Sequence, residues 1–339
     1  MQKIILPISK CIPGMITAQP IVNLQTGTVI VGQNQILTES TLDMIQNFIH
    51  TDIWIYLDSF NKVWNLPSQT IENYRRYGNA LKTVLGNSKD GDSVNMEALE
   101  NICESLPLDF NKNHILIGCT NLMKSLEEDL YAHSMNVTFI SILIAKWIKL
   151  DSEEFPNLIK AALLHDIGCI NLPFNPMKEN ETFDANMQAE YERHPIYSFN
   201  IVSRIKDIDP SIAKAILAHH EKSDGSGFPL KITAPQISLM AKIIALADQY
   251  ELLRNKYHIF DTLKILQTEM ISKFDTHMLL TFCETIANYY VGVYVTLSTG
   301  DIGEVVFINT TNLYRPLVKV KNKYIDLMDW PSINIVSVD

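Results

Sequence analysis

Histidine and aspartate recur at similar intervals along the middle of this chain: His133, the adjacent pair His165-Asp166, His194, the adjacent pair His219-His220, and Asp248. Five of the nine histidines belong to the series, and it lies within one helix-rich stretch. Imidazole and carboxylate together suit a borderline divalent metal such as Mn, Fe or Zn. So many ligands exceed what one ion takes up. A two-metal hydrolytic site is the simplest reading, and it requires the helices carrying these residues to converge.

Each member has a plainer reading beside the chemical one. His165-Asp166 falls near the C-terminal end of a helix expected over Asn157 to Leu164, with Gly168 as its terminator. An isolated pair there is more often an ordinary helix end. Asp248 shares a helical stripe with Ala241, Ile244 and Ala245, so its carboxylate projects from an apolar face, where burial is costly without a partner. Lys242 is the alternative partner. His219-His220 follows the apolar helix positions Ile212, Ala213, Ile216 and Leu217. Adjacent helical residues point about 100° apart, so both rings reach one ion only if the helix end opens or the ion lies between them. Gly225 and Gly227 permit such an irregular backbone. His133 and His194, taken singly, are as often surface or satisfied core histidines.

The residues flanking the series form recognisable motifs. Leu163-Leu164-His165-Asp166-Ile167-Gly168 reads as the HD signature of metal-dependent phosphohydrolases, and His219-His220-Glu221-Lys222-Ser223-Asp224-Gly225-Ser226-Gly227-Phe228-Pro229 resembles the HHExxxxGYP signature. In this order, followed by Ala247-Asp248, the stretch from about Leu122 to Tyr290 resembles the HD-GYP family. The resemblance implies hydrolysis of cyclic di-GMP to linear pGpG, to GMP, or to both, through a metal-bridging hydroxide. It implies two divalent ions, Fe or Mn. One is held by His133, His165, Asp166 and Asp248, the other by His194, His219 and His220, with Asp166 bridging. His165 and Asp166 form the catalytic core. Members with a third metal use an acid four residues before the first histidine, here Asp129, and a histidine in the loop after the HD motif, where this chain has Phe174. A third ion is therefore not expected.

Three positions depart from the family pattern. A lysine that helps bind the scissile phosphate is replaced by Cys169, the tyrosine of GYP is Phe228, and the basic segment after the metal aspartate is shortened to Arg254, Lys256 and His258. Cys169, Asp224, Gly225, Arg254 and Lys256 are the candidate substrate contacts. The missing lysine keeps a second class open, a protein that binds cyclic di-GMP and signals without hydrolysing it. A third is an HD phosphohydrolase for another nucleotide.

Charged residues make up 19% and hydrophobic residues 47%, as in a globular protein. A formal charge of −10 argues against a nucleic-acid polymer or an anionic membrane as partner. It leaves room for a small anion, because metals supply local positive charge. Cys11, Cys103, Cys119, Cys169 and Cys283 stand apart without a C-x-x-C pair, which favours reduced thiols in a cytoplasmic protein. Met1 to Pro7 has no sustained apolar core and does not read as a signal peptide. The apolar run Val137 to Ile148 is too short to span a bilayer, contains Lys146, and reads as a buried helix.

The expected fold is mainly α, an HD-type helical bundle flanked by small β-rich modules at both ends. Residues 1–60 read as a small β-rich accessory unit, in which Pro13-Gly14 and Thr26-Gly27 mark turns around runs such as Thr28 to Val31. It closes with a helix capped by Thr38 that carries Leu42, Ile45 and Ile49 on one stripe. Residues 61–121 read as a helical connector broken at the polar stretch Asn87 to Ser93, and its second helix is alternatively the first of the catalytic domain. Residues 122–290 form that domain, with helix starts at Asp209-Pro210-Ser211 and at Pro235. From Val291, Val293 and Val295 the pattern alternates, turns at Thr299-Gly300-Asp301 and resumes over Val305 to Ile308, a small β module over 291–339. Signalling partners at the β modules or the Gly-Phe-Pro loop, and a homodimer, fit this layout.

Overall fold

The computed structural model describes residues 3–8, 11, 15–23, 26–35, 37, 39–46, 52–56, 66–85, 94–122, 130–176 and 183–338. The turn expected at Pro13-Gly14, the cap at Thr38, Ile49, the stretch Asn87 to Ser93 and Asp129 lie outside these residues. The chain divides into two compact units, one of 1–66, 258–263 and 284–339, the other of 67–257 and 264–283.

In the first unit, β1 (Lys3–Pro7) pairs antiparallel with β4 (Asp52–Tyr56), and β2 (Ile21–Val22) with β3 (Val29–Val31). Between β3 and β4 lies α1 (Glu39–Gln46), whose Leu42 and Ile45 are buried as the stripe requires.

The second unit is helical. It contains α2 (Ser68–Leu85), α3 (Met96–Asp109), α4 (Asn113–Leu122), α5 (Leu130–Trp147), α6 (Phe155–Leu164), α7 (Ala185–Tyr191), α8 (His194–Val202), α9 (Pro210–Leu217) and α10 (Leu239–Lys256). The helix α5 is apolar on every side and buried from Ala132 to Ala145, so it forms the axis on which α4, α6 and α10 pack. Each fully buried Leu, Ile or Phe along it contributes about 1.5–3 kcal/mol relative to exposure. The first helices of the expected connector pack inward as well, α2 against α5 and α3 against α6.

Local chemistry sets the helix ends. Asp209 caps α9 by accepting from the Ser211 amide, with Pro210 at the first helical position, as expected. Pro235 instead sits in a short 3-10 turn, and α10 begins four residues later behind Ser238, which accepts from the Ala241 amide. A serine at the cap satisfies an orphan amide, and a proline cannot do that.

The last helices are α11 (Ile259–Thr268) and α12 (Thr276–Asn288). They precede β5 (Tyr294–Leu297), β6 (Ile302–Phe307), β7 (Leu317–Val320), β8 (Lys323–Asp326) and β9 (Ile335–Val338), an antiparallel sheet of order β8-β7-β6-β5-β9 in the first unit. Val291 and Val293 lie ahead of the sheet rather than in it, because the Val291 and Val293 amides bond back to the Asn288 and Tyr290 carbonyls as turns. No helix among the described residues is long and apolar enough to cross a membrane.

Candidate metal centre

The helix α6 ends at Leu164, and His165 and Asp166 follow as the chain tightens into a 3-10 turn over Ile167–Asn171. Gly168 in that turn lies against the start of α8. A Cβ there would be 2.4 Å from both the His194 carbonyl oxygen and the Ser198 nitrogen. Only glycine permits this approach, which brings His194 onto Asp166. The Gly168 amide also donates to Ser198 Oγ at 2.8 Å. On the other side, α9 ends at Leu217 and the backbone opens at Ala218, so that His219 and His220 both turn toward the same carboxylate.

Three of these histidines are fixed by the same local device. His165 Nδ1 donates to the Ala162 carbonyl at 2.8 Å, His194 Nδ1 to Tyr191 at 2.7 Å, and His219 Nδ1 to Ile216 at 2.6 Å. Each Nδ1 therefore holds the proton, and each Nε2 presents a bare lone pair. These lone pairs face one another and Asp166. His165 and His133 meet at 3.3 Å between Nε2 atoms, as do His194 and His219. Asp166 Oδ1 lies 3.1 Å from His194 Nε2 and 3.5 Å from His219 Nε2, and Oδ2 lies 3.5 Å from His133 and 3.6 Å from His165. One carboxylate thus divides the histidines into two groups.

Acceptors that converge in this way repel unless a proton or a metal ion sits between them. Asp166 Oδ1 and His220 Nε2 are buried and have no hydrogen-bond partner. The separations also suit an ion, since metal–nitrogen bonds of about 2.0–2.1 Å in a tetrahedral shell place neighbouring donors about 3.3 Å apart. Two sets fit on these terms, Asp166 with His194, His219 and His220, and Asp166 with His133 and His165. All of these residues are buried.

Asp248 stands beside the second set, its Oδ1 3.2 Å from His133 Nε2 and its Oδ2 3.5 Å from His220 Nδ1. Lys242, the plainer partner, ion-pairs instead with Asp275 at 3.5 Å. One turn beyond Asp248, Glu251 Oε2 accepts from His133 Nδ1 at 2.9 Å. Asn136 donates to the other oxygen of Glu251 at 3.4 Å, and the Tyr74 hydroxyl of α2 donates to Asn136 Oδ1 at 3.1 Å. The sequence reading missed Glu251, Asn136 and Tyr74. For Glu251 a signal existed, a second acid three residues after Asp248 on the same helix.

Comparisons with known proteins agree with this geometry. Residues 119–278 match the HD domain family. A cyclic di-GMP phosphodiesterase of Pseudomonas aeruginosa, PA4108, is 26% identical over 58% of this chain and 49% of its own length. The cyclic di-GMP phosphodiesterase PdeB of Borreliella burgdorferi is 27% identical over 60% of this chain and 56% of its own. The chain spans about half the length of these curated relatives. Among solved structures, Bd1817, an HDG"Y"P protein from Bdellovibrio bacteriovorus, shares the fold, with a TM-score of 0.53, 16% identity, and coverage of 84% of this chain and 99% of that one. Residues 119–278 are therefore matched as an HD domain.

Within the HD domain the loop after His220 closes on itself. The buried Glu221 accepts from the amides of Leu230, Lys231 and Ile232. Gly227 lies so close to the His220–Lys222 backbone that a Cβ would come within 2.4 Å of the Lys222 nitrogen. The loop sets the Phe228 ring on His220, stacked at 4.6 Å. The glutamate of the signature is thus a loop fastener, a role that the sequence did not disclose.

The candidate substrate contacts divide. Cys169 is buried within the HD turn, three residues past Asp166, and burial, with Asp166 and Asp248 nearby, pushes its thiol well above the ordinary range. Asp224 is exposed and accepts from Ser226, and Gly225 holds the turn with φ +79°. Arg254 is committed to the Tyr257 carbonyl and to Asn121, Lys256 is exposed, and His258 Nε2 donates to the Ile335 carbonyl. Arg254 and His258 thus already bond neighbours within their own units.

The electrostatics follow from burial among charges. Burial pushes His165 down to about 4 despite Asp166, with His219 and His133 adding to the effect. Burial, His219 and His194 hold His220 well below its usual range. Burial works against charge on His133, but Glu251 and Asp248 outweigh it and raise its pKa. Asp166 is buried too, yet the surrounding histidines keep its carboxyl well below the usual carboxylate range. An ionised Asp166 beside neutral His165 and His220 is the protonation state in which such residues bind a metal, and His133 must give up its second proton to join them.

Proposed function

We propose that this chain is a metal-dependent phosphodiesterase that opens a cyclic dinucleotide, with cyclic di-GMP as substrate. The observation that carries the reading is the pair of facing Nε2–Nε2 contacts at 3.3 Å, one on each side of Asp166, with the opposite ring nitrogens already spent on carbonyls or a carboxylate. His133, His165, Asp166 and Asp248 would hold one divalent ion, and His194, His219 and His220 the other, with Asp166 shared. Fe and Mn suit this donor set. When bound, such a pair acidifies a water at neutral pH and neutralises the growing charge on a phosphoryl group.

The chain's own residues prepare that chemistry. The carbonyls of Ala162, Tyr191 and Ile216 fix the tautomers and ring planes of His165, His194 and His219, so no reorientation is required on binding. Glu251 does the same for His133. Burial of the whole cluster keeps bulk water out and strengthens each charge interaction. The stacked Phe228 closes one wall over His220.

Relatives named as cyclic di-GMP phosphodiesterases support this substrate, while a Vibrio cholerae relative, 28% identical over 46% of this chain, is named a 3'3'-cGAMP-specific phosphodiesterase. Incubation with each dinucleotide and Mn or Fe(II), followed by chromatography, tests the reading. Linear dinucleotide or GMP should form with the wild type and not with Asp166→Ala. One observation favours a second reading, a binding protein without hydrolysis: the neutral Cys169 thiol stands where the family has a phosphate-binding lysine. Tight binding with no product from metal-loaded protein would support it.

A further inference from the structure

We propose that a row of aromatic rings leading away from the metal centre is a stacking platform for the base of a nucleotide whose phosphate lies on the cluster. This rests on the reading above that the substrate is a nucleotide diester. The row starts at the ligand histidines. Phe228 stacks on His220 at 4.6 Å and 29°, and Tyr191 packs on His194 at 4.7 Å. Tyr191 and Phe228 are 6.4 Å apart. Beyond them, Phe183 lies 5.6 Å from Tyr191, and Phe174 lies 5.1 Å from Phe183.

Four separate segments contribute to this row: the chain after the HD turn, the residue before the Asp184 cap of α7, the last residue of α7, and the Gly-Phe-Pro loop. If the rings served only as core, they would be buried as completely as Phe110 and Phe139 in the same unit. They are not. Phe174, Phe183, Tyr191 and Phe228 are all partly exposed, whereas the histidines that they adjoin are buried. A polar cluster suited to phosphate, continuous with partly exposed aromatic residues, matches a ligand that joins an anion to a flat heterocycle. A nucleotide has that shape. Stacking accepts any base, because every base has a π face. The platform therefore supplies affinity for a purine, and discrimination between guanine and adenine must come from elsewhere.

The test uses the full-length, metal-loaded protein with two ligands, GMP and ribose 5-phosphate, which share the phosphate and sugar but differ in the base. The platform predicts that GMP binds about five- to a hundredfold more tightly than ribose 5-phosphate, the factor expected for one stacked base. Phe183→Leu and Tyr191→Leu keep apolar volume but remove the π face. At equal metal loading, each should lower the ratio of GMP to ribose 5-phosphate affinity severalfold, and the pair should bring that ratio near one. Quenching of 2-aminopurine riboside 5'-monophosphate, a direct sign of stacking, should fall in parallel. Equal wild-type affinities for the two ligands, no binding of either, or GMP binding and quenching that survive both substitutions would overturn the platform. Cyclic dinucleotide hydrolysis together with such a result refutes the platform alone. Base-dependent binding lost in the leucine variants, without hydrolysis of any cyclic dinucleotide, supports the platform and refutes the proposed activity.

Discussion

Glu251 Oε2 sits 2.9 Å from Nδ1 of His133, on the side of the ring opposite the metal centre. A carboxylate in that place fixes the tautomer and raises the basicity of the ligand nitrogen. Glu251→Gln keeps the shape but removes the charge, and it should weaken metal binding by about ten- to a hundredfold. Titration against a chelator of known affinity measures this. An affinity equal to wild type would mean that the contact is structural only.

Gly168 is where the HD turn and α8 touch. A methyl group there meets the backbone of His194 and Ser198, neither of which can move without shifting the helix. Gly168→Ala should destabilise the protein by about 1–3 kcal/mol, as overpacking does, and lower its metal content by displacing His194. Thermal melting and elemental analysis together check this. A variant that melts and binds metal like the wild type would show that the turn has slack.

Cys169 bears on rate. A charge-assisted hydrogen bond to phosphate contributes about 1.5–3 kcal/mol, or roughly ten- to a hundredfold in rate if it strengthens in the transition state. Cys169→Lys should raise hydrolysis toward that range at equal metal loading. Steady-state kinetics on both proteins decides, and an unchanged rate in a folded, loaded variant would rule out the missing lysine as a limit.

Glu304 in β6 is buried, with one carboxylate oxygen unpartnered, and burial raises its pKa to about 7 despite Lys319. Its folded pKa thus exceeds the ordinary 4.5. Between those values the folded protein holds the proton more tightly than the unfolded chain, so stability declines as pH rises from about 4.5 to 7 and is level above that. Glu304→Gln removes the decline. Allowing for partial screening, the variant should gain about 1–2 kcal/mol relative to wild type at pH 8 and little at pH 4.5. Melting temperatures at the two pH values test the sign, and an equal shift at both would contradict it.

Much of this was legible in the sequence, because metal chemistry leaves ligands in a fixed order on a periodic background. The apolar stripe around Asp248 announced a buried carboxylate, and Asp209-Pro210 announced the start of α9. What stayed hidden depends on contacts between distant segments. Nothing local tells that Tyr74, in a helix read as connector, reaches Asn136 and through it Glu251. Nor does composition reveal that Glu221 fastens a loop, or that Arg254 and His258 bond neighbours within their own units. The strand expected from Val291 began late because alternation alone does not distinguish a strand from the turns that lead into it.

The central claim is that Asp166 joins two ions, and metal stoichiometry tests it most directly. Elemental analysis of protein purified without air and reconstituted with Fe(II) or Mn should give about two ions per chain. Asp166→Ala should lose more metal than any other single substitution, since both of its oxygens face histidine nitrogens of different groups. A single ion or none in the wild type after reconstitution, or two ions retained by Asp166→Ala, would contradict the account.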